Sequence, residues 1–163
     1  MDVKVTYLQM FAHPAVVVPS PRPGLTVVHA KKPTIAYYRF IYDAVGKPWQ
    51  WLSRKKLTDE QLVSIIHDPR DEVQVLHVDG VPAGFAELDG RVDGEIEIVQ
   101  FGLMLDFIGL GLGHYFLQWV IDYAWSRPLQ RLWLHTCSLD HPKALPNYQK
   151  AGFVIYKEEM TVR

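Results

Sequence analysis

The chain has 163 residues, 48% of them apolar, which suits one domain with a sizeable core. A formal net charge of −1 gives no footing for a nucleic-acid or anionic-surface partner, and the single cysteine excludes an internal disulfide. No apolar run approaches the roughly 20 residues of a membrane-spanning helix, and the N-terminus lacks a basic-then-apolar leader pattern, so the expectation is a soluble cytoplasmic protein, residues 1–163 forming one domain.

In chain order, Val3, Val5 and Tyr7 alternate as a short strand. Four prolines between Pro14 and Gly24 then predict an extended connection to a second strand at Leu25, Val27 and His29. Pro33 suits an early helical position and Gly46 a C-terminal cap. Tyr37, Phe40, Ile41 and Ala44 fall at i, i+3, i+4, i+7 and read as that helix's core face, leaving Tyr38 and Tyr42 off it. Arg54, Lys55 and Lys56 read as a solvated face. Thr58 and Gln61 form a capping box, and Leu57 with Leu62 a hydrophobic staple, for a helix that stops before Pro69.

Strands over 73–78 and 83–88 flank Asp79-Gly80, a strong hairpin signal. A long strand over 95–105 changes apolar phase between Ile98 and Val99, which predicts a bulge near Val99. A helix over 112–125 buries Phe116, Trp119, Val120 and Tyr123 and cannot pass Pro128. A strand over 131–139, a helix over 142–150 ended by Gly152, and a strand from 153 complete the order β-β-α-α-β-β-β-α-β-α-β. That order predicts an α/β (α+β) fold with a mixed, mostly antiparallel sheet flanked by helices.

The segment "LMLDFIGLGLGHYFL" places Gly109, Gly111 and Gly113 between strand and helix. Glycines permit positive φ and close backbone approach, and a helix start offers free N–H groups and partial positive charge, so a pyrophosphate is the natural occupant. Neither register fits G-x-G-x-x-G, which counts against a dinucleotide oxidoreductase, and Gly-Lys-Ser/Thr is absent.

From Glu95 to Glu158 the chain resembles the core of the GNAT superfamily of N-acetyltransferases. Gly111 and Gly113 match its Q/R-x-x-G-x-G/A loop, and Ala144, Tyr148, Lys150, Gly152 and Phe153 match a segment like N-x-x-A-x-x-x-Y-x-K-x-G-F. Two positions depart from the pattern: Ile108 stands for the usual Gln or Arg, and His141, beside Asp140, for the usual Asn. The resemblance implies direct transfer of an acyl group from acetyl-CoA to an amine, residues 71–163 binding the donor and 1–70 forming the variable acceptor side. It implies that the N–H groups of Gly109, Leu110, Gly111, Leu112, Gly113 and His114 cradle the pyrophosphate, and that those of Phe101, Gly102 and Leu103 meet the thioester. His141 and Asn147 would orient the cofactor's amide arm, Glu97 (or Glu95) would act as base, and Tyr148 as acid.

Tyr38, Tyr42, Trp49 and Trp51 make an aromatic segment suited to a small-molecule amine, since an ammonium gains roughly 0.5–2 kcal/mol over such rings. The metal reading of His135, Cys137, Asp140 and His141 fails on spacing, so no metal is expected. The competing reading is a non-catalytic acyl-CoA-binding module. Monomer and homodimer both stay open, as do the acceptor and the acyl length.

Overall fold

The computed structural model describes residues 1–163. Its strands are β1 (Asp2–Met10), β2 (Leu25–His29), β3 (Asp71–Val78), β4 (Val81–Asp89), β5 (Glu95–Leu103), β6 (Arg131–Cys137) and β7 (Val154–Val162). Its helices are α1 (Ile35–Gly46), α2 (Asp59–Ile66), α3 (Leu112–Trp125) and α4 (Ala144–Lys150). The element order is the one read from the sequence. One sheet holds all seven strands in the order β2-β3-β4-β5-β6-β1-β7, antiparallel throughout except for β5 with β6.

Local chemistry accounts for most element ends. Asp79 and Gly80 both have positive φ, as a two-residue hairpin turn requires, and Val78 pairs with Val81 across it. Thr58 and Gln61 exchange both bonds of the capping box. In β5 the partner of Glu87 is Gln100 and that of Leu88 is Ile98, so Val99 is the extra residue of a bulge. The bulge lets Phe101 and Leu103 join Ile96 and Ile98 on one face.

That face packs under α3 and α4, with Phe116, Leu117, Val120 and Ile121 at its centre. The opposite face, over β3 and β4, packs under α1 and α2. Here the structure corrects the sequence reading. The buried stripe of α1 is Tyr38, Ile41, Tyr42 and Val45, while Phe40 is 55% exposed. The two stripes have the same spacing and differ by one position, so periodicity alone cannot separate them. Polar partners decide: Tyr38 donates to Glu87, and the Tyr42 hydroxyl meets Ser53 and the Arg54 N–H.

Two smaller corrections concern ends. Pro33 lies just outside α1, whose N-cap is Thr34. Gly46 is not a left-handed cap; it is small because the Trp51 ring would meet a Cβ there at 2.4 Å. Gly102 is small for a similar reason, since Val45 Cγ1 would meet its Cβ at 2.6 Å. Helix α1 thus rests directly on the β5 backbone.

Candidate functional site

The parallel pairing of β5 with β6 runs only from Glu95↔Arg131 to Ile98↔Leu134. Beyond it β5 continues on β4 to Leu103, and β6 continues on β1 to Cys137. The two strands therefore part at the bulge, and along Phe101, Gly102 and Leu103 the β5 edge facing β6 has no strand partner. Unpaired strand edges are ready-made hydrogen-bonding surfaces.

The glycine run opens beside this gap. A 3-10 turn, Leu105–Phe107, leads to Gly109 (φ +86°) and Gly111 (φ +79°). Gly111 is the N-cap of α3 and offers no capping side chain to the N–H groups that follow. No atom lies within 4 Å of where a side chain at Gly109 would begin, and at Gly111 the one neighbour is Pro21 at 3.7 Å. Leu110 is exposed. The backbone from Gly109 to Gly111 is thus open, with the positive end of a 14-residue helix behind it.

On the same side of the sheet, Tyr148 projects from α4 into the core. Its ring lies 6.3 Å from Phe101 and 6.1 Å from Phe153, both edge-on. Burial, and then the charge of Asp140, push the phenol well above its ordinary value, so it stays protonated and can donate. Asp140 itself accepts from the Thr136 hydroxyl and from the Cys137 N–H at 2.9 Å. Beside Asp140 a cavity of about 220 Å³ is lined by Lys4, Thr6, Thr136, Cys137, Ser138, Asp140, His141, Pro142 and Leu145. Asn147 is exposed on α4 beside Tyr148.

His141 and Trp49, expected on opposite sides of the reaction, touch each other with ring centres 5.1 Å apart. Trp49 ends the 3-10 turn after α1, and His141 follows β6. Their contact links the segment after α1, the helix that rests on β5, to the segment after β6. Asp140 caps the turn after β6, His141 meets Trp49, His135 faces Glu97, and no three His, Cys, Asp or Glu side chains converge.

The other face of the sheet carries no helix over β6 and β1. Glu97, 20% exposed, stands there with its carboxylate 3.5 Å from His135 Nδ1. Glu95, the alternate base, is tied to Arg131 at 3.0 Å. Tyr7 lies 5.5 Å from the His135 ring and donates to Glu159 at 2.6 Å. That bond, with burial behind it, holds the Tyr7 phenol up at about 12.

The aromatic segment is less open than its sequence implies. Tyr38 and Tyr42 are core residues at 0% and 2% exposure, and Trp51 packs between Tyr42 and Phe85. Tyr38 and Tyr42 reach only a small pocket of about 40 Å³, which Arg39, Asp43, Arg54 and Lys55 also line. Arg54 is also corrected: its guanidinium is 2.6 Å from the fully buried carboxylate of Glu87. Sequence reasoning passed over Glu87, although strand alternation places it on the face of Ala83 and Phe85.

Asp71 joins this network. As a carboxylate neither of its oxygens has a donor; protonated, it donates to Glu87. Burial first, and then the Glu87 charge, raise it from 3.8 to about 9. A carboxyl with a raised folded-state value binds its proton more tightly in the native protein, so the stability it contributes is lost as pH rises from about 4 towards about 9. Thermal melts of the wild type are therefore expected to fall over that interval. Asp71→Asn should flatten the trend and raise the melting temperature at pH 8, and a wild-type melt independent of pH would contradict the account.

A family model described as the acetyltransferase (GNAT) family matches residues 31–153. A GCN5-related N-acetyltransferase from Sphaerobacter thermophilus superposes with a TM-score of 0.71 at 17% identity, covering 96% of this chain and 49% of that one. An IAA acetyltransferase from Bacillus cereus gives 0.60 at 18%, covering 82% and 79%. An aminoglycoside acetyltransferase from an uncultured soil metagenomic sample gives 0.63 at 10%, covering 79% and 88%. The chain spans only 60%, 49%, 54% and 63% of four of the structures it matches. No curated protein sequence matches it.

Proposed function

The chain belongs to the GNAT family of acetyltransferases, an acyltransferase family, and from that premise we propose that it moves an acetyl group from acetyl-CoA directly to a primary amine of a small molecule. The observation that carries this reading is the parting of β5 and β6 beside the open glycine loop. A donor whose pyrophosphate rests on the N–H groups from Gly109 to His114 can lay its thioester along the unpaired β5 edge at Phe101, Gly102 and Leu103. His141 and Asn147 flank the arm between them, and Tyr148 supplies a proton to the departing thiolate.

The amine reaches the gap from the opposite face, over β6 and β1, which α1 and α2 leave uncovered and where Glu97 stands. The two substrates thus approach from opposite sides of the sheet. The likeness to a protein named as an aminoglycoside acetyltransferase supports a small amine-bearing acceptor. Of the four aromatic residues proposed for the acceptor, Trp49 at the mouth of the gap keeps that role.

Calorimetry with acetyl-CoA and a free-thiol assay over a panel of amines test the reading. Binding with amine-dependent thiol release is expected; binding without release would instead favour an acyl-CoA-binding module. Gly111→Val is expected to lower acetyl-CoA affinity about tenfold or more, because φ +79° is costly for a β-branched residue and the side chain would fill the phosphate's approach. Unchanged affinity in a folded Gly111→Val variant would remove the loop from the donor site.

A further inference from the structure

We infer that His135 is the group that takes the proton from the acceptor amine, with Glu97 positioning its ring; this rests on the acetyl-transfer reading above. His135 is the first residue of β6 beyond its pairing with β5, so it stands at the mouth of the gap on the helix-free face. Its side chain is 42% exposed, against 20% for Glu97. Nδ1 faces the Glu97 carboxylate at 3.5 Å, and Nε2 lies on the far side of the ring. A carboxylate beside Nδ1 favours the tautomer with the proton there, which leaves the Nε2 lone pair free to accept another. A 3.5 Å separation is loose for a hydrogen bond, and such contacts tighten when substrate binds.

The groups around His135 do not compete for the role. Glu159 of β7 is engaged by the Tyr7 hydroxyl at 2.6 Å and by Lys157 at 3.4 Å. Tyr7 of β1 is a donor in that bond, and Lys157 stands over its ring at 5.0 Å. Tyr156 of β7 packs on Tyr7 and against Arg131, which is itself tied to Glu95 of β5. On the β4 side, Asp89 opposite Glu97 is held by Arg91. Imidazole is the side chain in this set that, when neutral, donates from one ring nitrogen and accepts at the other.

The step balances without a co-reactant beyond the donor. An N–H bond of the acceptor ammonium breaks, and the proton passes to His135 Nε2. The freed nitrogen lone pair forms the C–N bond at the thioester carbonyl, the nitrogen's second proton passes to solvent as the neutral amide forms, the C–S bond breaks, and the thiolate takes the Tyr148 proton. His135 then returns its proton to solvent, and Tyr148 is reprotonated from solvent.

The test joins kinetics with nitrogen-15 NMR. With an amine that the wild type acetylates, His135→Ala is expected to lose about a hundredfold in kcat with the acetyl-CoA KM unmoved, and added imidazole should restore part of the loss. The neutral ring should carry its proton on Nδ1 in the wild type and lose that preference in Glu97→Gln. An active wild type with an unimpaired His135→Ala variant, a loss that imidazole does not restore, or an Nε2-protonated ring in the wild type overturns the inference alone. A wild type inert towards every amine sinks the acetyl-transfer reading itself.

Discussion

Tyr148→Phe is expected to lower kcat by about a hundredfold or more while leaving acetyl-CoA affinity within a few-fold of wild type. The substitution keeps the ring, so the contacts with Phe101 and Phe153 survive and the fold should not suffer. What is lost is one hydroxyl, held protonated by burial and by Asp140. A proton donor to a leaving thiolate acts in the transition state, and a ground-state binding measurement should hardly register its loss. Calorimetry with CoA and steady-state kinetics on one preparation make the comparison. Equal turnover in the two proteins would reject Tyr148 as the acid.

The second large effect is on stability. Glu87→Ala is expected to cost about 3–5 kcal/mol, a large part of the roughly 5–15 kcal/mol that holds a domain folded. Glu87 is fully buried and takes bonds from both Tyr38 and Arg54. Removing it strands a guanidinium that is only 12% exposed, along with the buried Tyr38 hydroxyl. The double variant Arg54→Met/Glu87→Leu should recover much of the loss, because it removes both charges and leaves apolar volume. Denaturant unfolding of the singles and the double gives the coupling directly. A Glu87→Ala variant within about 0.5 kcal/mol of wild type would show that the network carries no weight.

Much of the fold was legible because its signals are local. The capping box at Thr58, the Asp79-Gly80 hairpin and the phase change at Val99 each dictate geometry within a few residues. The glycine run was legible for the same reason. The buried face of α1 was not, because two stripes offset by one position are equally periodic, and the choice depends on Glu87 and Ser53, which come from elsewhere in the chain. Arg54 misled for a related reason: flanked by Lys55 and Lys56 it looks solvated, and its partner is 33 residues away. The nearness of His135 to Glu97 depends on two strands lying side by side, which sequence spacing does not reveal.

The place of β1 between β6 and β7 has a consequence for biosynthesis. Residues 2–10 are translated well before both of their neighbours, residues 131–137 and 154–162. At about 5–20 residues per second, this apolar strand waits on the order of ten seconds for β6 to emerge. Until then Val3, Val5, Leu8 and Met10 have no sheet to join, and the nascent segment is a natural client for a chaperone. Sheet closure then waits for β6 and β7, and it is slow, because it joins parts far apart in sequence. Without residues 1–12 the sheet would carry a vacant slot between β6 and β7. A peptide of residues 1–12 supplied in trans could fill that slot, which makes the strand a handle for split-protein complementation.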